Sequence, residues 1–197
     1  MNLIYDQYPH TVVLNGTERE IVTDFKDWLR FVDMLKAEEL SNEEKFQTML
    51  NFYFDELPAG DLIGAFKPLE GFFRMDGAYK KEPDTGNDGN HEELPGDERP
   101  AVKPLYDFSF DAGYIISGFW HDYRIDLTTA HMHWWKFRIL LDGLSSETEF
   151  KQRVMYRNTD ASQIKDSNER NRILRIQRRI AIPQPKPTDF EIGDMFA

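Results

Sequence analysis

Thr23-Asp24-Phe25-Lys26-Asp27-Trp28-Leu29-Arg30-Phe31-Val32-Asp33-Met34-Leu35 decides the fold class. Phe25, Trp28, Leu29, Val32 and Leu35 follow the i, i+3, i+4, i+7 spacing that gathers apolar side chains on one face of a helix. Thr23-Asp24 offers the side-chain oxygen that receives the first free amides of such a helix. Upstream, Thr11-Val12-Val13-Leu14, Asn15-Gly16 and Thr17 to Val22 read as a β-hairpin, because Asn and Gly tolerate the positive φ that a type I′ turn needs at both central positions. Glu18 and Glu20 alternate with Arg19 and Ile21, so at most one face of the hairpin is buried.

Downstream, Ser41 and Glu44 have capping-box spacing and open a helix expected to carry Phe46, Met49, Leu50, Tyr53, Phe54 and Leu57 as far as Pro58. From Asp61 to Met75 the helical pattern is interrupted by Gly64, Pro68 and Gly71, which predicts a broken or short helix. Residues 76–104 are rich in charge, Gly and Pro and poor in aliphatic side chains, and read as a disordered acidic loop. Four helical stretches follow. The first lies within Phe108 to Tyr123, with a face through Ala112, Ile115, Ile116, Phe119 and Tyr123. The second runs through Met132, Trp135, Phe137, Ile139 and Leu140 to a Gly143 expected to be left-handed. The third is capped by Ser145 or Ser146 and carries Phe150, Val154 and Met155, and the last covers about Ile164 to Ile180. The expected architecture is mainly α, an N-terminal β-hairpin followed by a helical bundle. Its segments are 1–75, the loop 76–104, a helical region 105–183, and a tail 184–197 that begins Pro-rich and ends apolar.

Composition narrows the function. The 197 residues carry a net charge of -11 and no cysteine, which excludes disulfides, thiolate metal sites and cysteine nucleophiles. No run reaches the roughly 18–20 apolar residues that span a bilayer, and residues 1–10 lack the pattern of a secretory leader. A cytoplasmic protein is expected. The charge is uneven: residues 151–179 hold nine Lys or Arg against three Asp or Glu, which suggests either internal charge pairing or a docking surface for an acidic partner.

His121, His131 and His133 lie near Asp122 and Asp126. On a helix, His131 and His133 would diverge by about 200° and could not share a metal, so they are read as packing and capping residues. In His133-Trp134-Trp135-Lys136-Phe137, adjacent Trp residues on a helix leave room for only one at the centre of a core, with the other at its edge or in an interface. Arg172, Arg175 and Arg179 form a polar stripe opposite Ile173, Ile176 and Ile180. No phosphate loop, nucleophile elbow or zinc-hydrolase spacing occurs, so neither catalysis nor a cofactor is expected.

Tyr114-Ile115, Phe119, Tyr123, Ile125-Asp126-Leu127 and Met132-His133-Trp134-Trp135-Lys136-Phe137 resemble a bacteriophage family called gene product fifteen. Gly143-Leu144-Ser145, Phe150, Tyr156-Arg157, Ile164-Lys165 and the basic helix ending at Pro183 continue the resemblance, which is strongest over 108–183. In long-tailed phages of Gram-positive hosts this family is encoded close to the tape-measure gene. The resemblance therefore implies a tail assembly chaperone in the cytoplasm of the infected host, binding the tape-measure protein and, as a second partner, the tail-tube protein. The alternatives are a structural tail or connector component kept in the virion, and a nucleic-acid-binding regulator using the basic helix. Trp134, Phe137, Arg175 and Arg179 are the expected partner contacts. No metal, small-molecule substrate or membrane is expected.

Overall fold

A computed structural model describes residues 2–62, 64–78 and 104–183. Most of the acidic stretch 76–104 and the tail from 184 lie outside the described residues. The described chain is mainly helical behind an N-terminal antiparallel hairpin. β1 (Thr11–Leu14) pairs with β2 (Thr17–Glu20) across Asn15 at φ 50° and Gly16 at φ 79°, the two positive values that a type I′ turn requires. Val12 and Leu14 are buried while Val13 faces out, so one face of the ribbon covers the core.

Asp24 caps α1 (Phe25–Lys36) by accepting from the Lys26 amide at 2.9 Å. Ser41 and Glu44 form the complete capping box of α2 (Asn42–Leu50), and the bonds from Ser41 hold the Glu44 carboxyl below its ordinary range. α2 stops at Leu50, well short of Pro58. Beyond Asn51 the backbone finds better partners in the strand leaving the hairpin: the Val22 amide donates to the Phe52 carbonyl (2.8 Å) and the Phe54 amide to that of Glu20 (3.2 Å). Phe52 and Tyr53 thereby turn inward and Phe54 outward. The Tyr53 hydroxyl donates to the Ala65 carbonyl at 2.5 Å, and burial pushes its pKa up to about 12.

α3 (Phe66–Arg74) is the short helix expected around Pro68, which its first turn accepts because an amide there has no helical partner. It ends on Met75 in the left-handed region, φ 62°. The second half comprises α4 (Ala112–Tyr123), α5 (Trp134–Asp142), α6 (Glu149–Asn158) and α7 (Ser167–Arg179). Ile116, expected on the buried face of α4, is exposed, and Gly118 takes an inward position against Leu144. His133 caps α5, its side chain accepting from the Trp135 amide. Gly143 is right-handed, φ -82°, so its lack of a side chain serves a close approach. A Cβ there would stand 3.1 Å from the Tyr123 hydroxyl, which donates to the Leu140 carbonyl. Thr148 caps α6, because Ser145 is engaged by the Asp122 carboxylate through its amide (2.6 Å) and hydroxyl (3.0 Å). Asp166 caps α7, so the helix begins three residues later than Ile164.

Residues from both sides of the acidic stretch share one buried cluster. The Phe25 amide donates to the Met132 carbonyl (3.0 Å) and the Trp134 amide to that of Thr23 (2.7 Å), stitching the entrance of α1 to that of α5. Phe137 lies between Phe25 (4.8 Å between centroids) and Phe119 (5.4 Å), both nearly parallel to it. On the far side of α5, Arg157 of α6 grips Asp111 with two bonds, 2.6 and 2.9 Å, both side chains being buried. Arg157 also donates to the carbonyls of Leu105 (3.0 Å) and Ile180 (2.9 Å), so one guanidinium ties together α4, α6, the end of α7 and the incoming chain.

Candidate protein-interaction surface

Trp134 and Phe137 have no exposed surface. In the free protein neither of these two expected contacts offers surface to a partner. Trp135 is buried as well, at 4% exposure, although only one indole was expected at the centre of the core. Both rings fit because α5 begins beside the end of α3, where the Phe72 carbonyl accepts from the Met75 amide and still has room for a second donor. The Trp134 indole donates to the Phe73 carbonyl and that of Trp135 to the Phe72 carbonyl, each at 2.9 Å. The adjacent indoles act as a side-chain cap for α3, a role visible only once residues 72–73 and 134–135 are brought together.

Neither His131 nor His133 lies on the helix. His131 is exposed, 3.4 Å from Asp24. His133 sits beneath Tyr8 at 5.0 Å between rings and connects two backbones: Nδ1 accepts from the Trp135 amide (3.0 Å) and Nε2 meets the Pro9 carbonyl at 2.9 Å. Only the neutral ring with its proton on Nε2 satisfies both. Burial accordingly pulls the His133 pKa down from its ordinary value, opposed by the Pro9 carbonyl. Because the folded value lies below the unfolded one, the associated stability is present in full above about pH 6.5 and is lost as pH falls through the folded value. Thermal melts between pH 7.5 and 5 should show a declining midpoint, and His133→Asn, which keeps an acceptor for the cap without the titration, should decline less.

Arg172, Arg175 and Arg179 lie on the exposed face of α7 and Ile173 on its buried face, as the spacing predicts. Arg172 pairs with Glu169 at 3.1 Å. Arg179 also borders a mixed polar groove against α6, shared with Glu149 and Tyr156. The stripe is accessible but offers no apolar anchor.

An apolar groove of about 310 Å³ lies between α1 and α3. Phe73 lines its base, and the buried side chains of Trp28 and Leu69 back it from beneath. The Trp28 indole donates to the Val22 carbonyl at 2.9 Å, and Phe73 stacks on Trp134 at 5.0 Å. Leu35 and Phe66 stand on the two walls at 43% and 45% exposure. Lys36, Glu70 and Arg74 ring the mouth. Arg74 pairs with Glu70 at 2.6 Å, and Lys36 with Asp107. For the Asp107 carboxyl, burial acts upward, but the Lys36 ammonium and the Phe110 amide together bring it below its usual range. A rigid apolar floor, half-exposed apolar walls and a charged rim are the features of a surface that receives an apolar segment of another chain. Leu35 was readable as part of the apolar face of α1, but its exposure depends on where α3 lies.

Among the described residues, no group of three or more His, Asp or Glu side chains is placed to hold a metal ion, and no helix is long and apolar enough to cross a membrane. The fold and this groove define a mainly helical domain of the groove-presenting kind. The chain belongs to the Bacteriophage Gp15 protein family, whose match spans residues 4–182 and so takes in the hairpin and groove as well as the His133–Phe137 region. No curated protein and no solved structure gives a significant match.

Proposed function

We propose that the protein is a chaperone-like factor of phage tail morphogenesis that takes up an amphipathic helical segment of the tape-measure protein and keeps that protein soluble until the tail tube encloses it. The α1–α3 groove is the observation that carries this reading. A long helical protein with an apolar stripe self-associates when the stripe meets water, and a groove that accepts side chains at i, i+3/i+4 and i+7 masks the stripe one segment at a time. The net charge of -11 favours solubility of the resulting complex. Family membership supports a phage role, and the resemblance to proteins encoded beside the tape measure supports the choice of partner. Leu35 and Phe66 replace Trp134 and Phe137 as the apolar contacts, and Arg175 and Arg179 remain candidate ionic contacts on a separate face.

Co-expression with the tape-measure protein of the same phage, followed by size-exclusion chromatography, tests the reading. A soluble tape measure co-eluting with this protein is the expected result. A tape measure that stays insoluble while this protein elutes alone overturns it. The double variant Leu35→Asp/Phe66→Asp should fold normally, since exposed substitutions cost at most about 0.5 kcal/mol. If both side chains are interface anchors worth about 2 kcal/mol each, the variant binds several hundredfold more weakly, about 4 kcal/mol at about 1.4 kcal/mol per tenfold.

A further inference from the structure

We propose that in the free protein the α1–α3 groove is occupied by the chain's own C-terminal segment, Phe190–Phe196, which the partner must displace. This rests on reading the groove as the seat of an apolar segment. The segment Asp189-Phe190-Glu191-Ile192-Gly193-Asp194-Met195-Phe196 interleaves four apolar side chains with three carboxylates. Ile192, Met195 and Phe196 have the i, i+3, i+4 spacing of a groove-binding face. The mouth carries Lys36 and Arg74, already paired with Asp107 and Glu70, so the fit of the segment rests on its apolar side chains and on the reach of the chain.

The root of this segment is tied to the groove through a short relay. The Ile180 carbonyl accepts from Arg157 (2.9 Å), and Arg157 holds Asp111 (2.6 Å). Asp111 accepts from the Asp107 amide (3.1 Å), and the Asp107 carboxylate pairs with Lys36 at the groove mouth. The ten residues from Ile180 to Phe190 can extend about 33 Å, whereas the relay is made of four direct contacts linked by single side chains. They include Pro183, Pro185 and Pro187, a composition that favours extended chain. The family match ends at residue 182, so the segment lies outside the shared domain, as an added regulator of a shared groove would.

The chain has no cysteine, so two can be introduced without competition. In the full chain, Met195→Cys is combined with Phe66→Cys in the groove wall or with Met155→Cys, an exposed position on α6 two residues from Arg157. Under mild oxidation the groove pair should cross-link within one chain about tenfold faster than the α6 pair, the factor that about 1.4 kcal/mol of docking produces. Phe190→Asp/Phe196→Asp should abolish the difference, and Leu35→Cys provides a second groove position should Phe66→Cys perturb α3. Equal rates at the groove and at α6 overturn the proposal, as does cross-linking only between two chains, which would place the segment on a second copy. The assay contains no tape-measure protein, so its failure leaves the partner reading standing. Failure of partner capture likewise leaves the cross-link informative.

Discussion

Trp134→Ala lowers the stability of the domain by about 4–8 kcal/mol. Emptying a Trp-sized site costs about 3–5 kcal/mol, and the Phe73 carbonyl left without its indole donor adds about 1–3 kcal/mol. Against a total of roughly 5–15 kcal/mol for a domain, the sum of about 4–8 kcal/mol takes from about a quarter to all of the stability. Trp134→Phe separates the two contributions: the ring largely remains and the unpaired carbonyl dominates, so its midpoint in urea should fall between those of wild type and the Ala variant. Urea melts followed by far-ultraviolet circular dichroism provide the measurement. A folded Trp134→Ala protein with only a partner-binding defect would return this residue to the surface role that its aromatic character first suggested.

Asp111→Ala has the second-largest expected effect. It leaves the Arg157 guanidinium buried without its carboxylate, a loss of about 3–5 kcal/mol. At about 2–4 °C per kcal/mol for a chain of this size, the midpoint drops by roughly 6–20 °C. Removing both charges as Asp111→Leu/Arg157→Met should restore part of the loss, since no stranded ion remains. Recovery stays incomplete because Arg157 also serves the carbonyls of Leu105 and Ile180, which the Met cannot reach. A double variant less stable than Asp111→Ala would show that those two carbonyls matter more than the ion pair.

Both sites show where sequence reading stops. The hairpin was legible because Asn15-Gly16 carries its own conformational preference, and α1 and α2 announced their starts through Asp24, Ser41 and Glu44, all signals within a few residues of their effect. The end of α2 was not, because Phe52 and Phe54 answer to Glu20 and Val22, about thirty positions away. The burial of both indoles depends on carbonyls some sixty positions earlier. Asp111 is one of two aspartates, with Asp107, in the aromatic approach to α4, and nothing local set it apart or identified Arg157 as its partner. The candidate site divides in the same way. The arginine stripe of α7 follows from spacing within one helix, whereas the groove exists only where α1 and α3 come together, and spacing within either helix cannot report the space between them.

The most direct test of the central claim is a photo-reactive phenylalanine analogue placed at position 66 of the full chain during co-expression with the tape-measure protein. Irradiation should attach the tape measure through one apolar, helix-forming segment, and the same analogue at position 155 should attach none. Cross-links to the tape measure from position 155 and none from position 66 would contradict the claim and move recognition to the α6–α7 side.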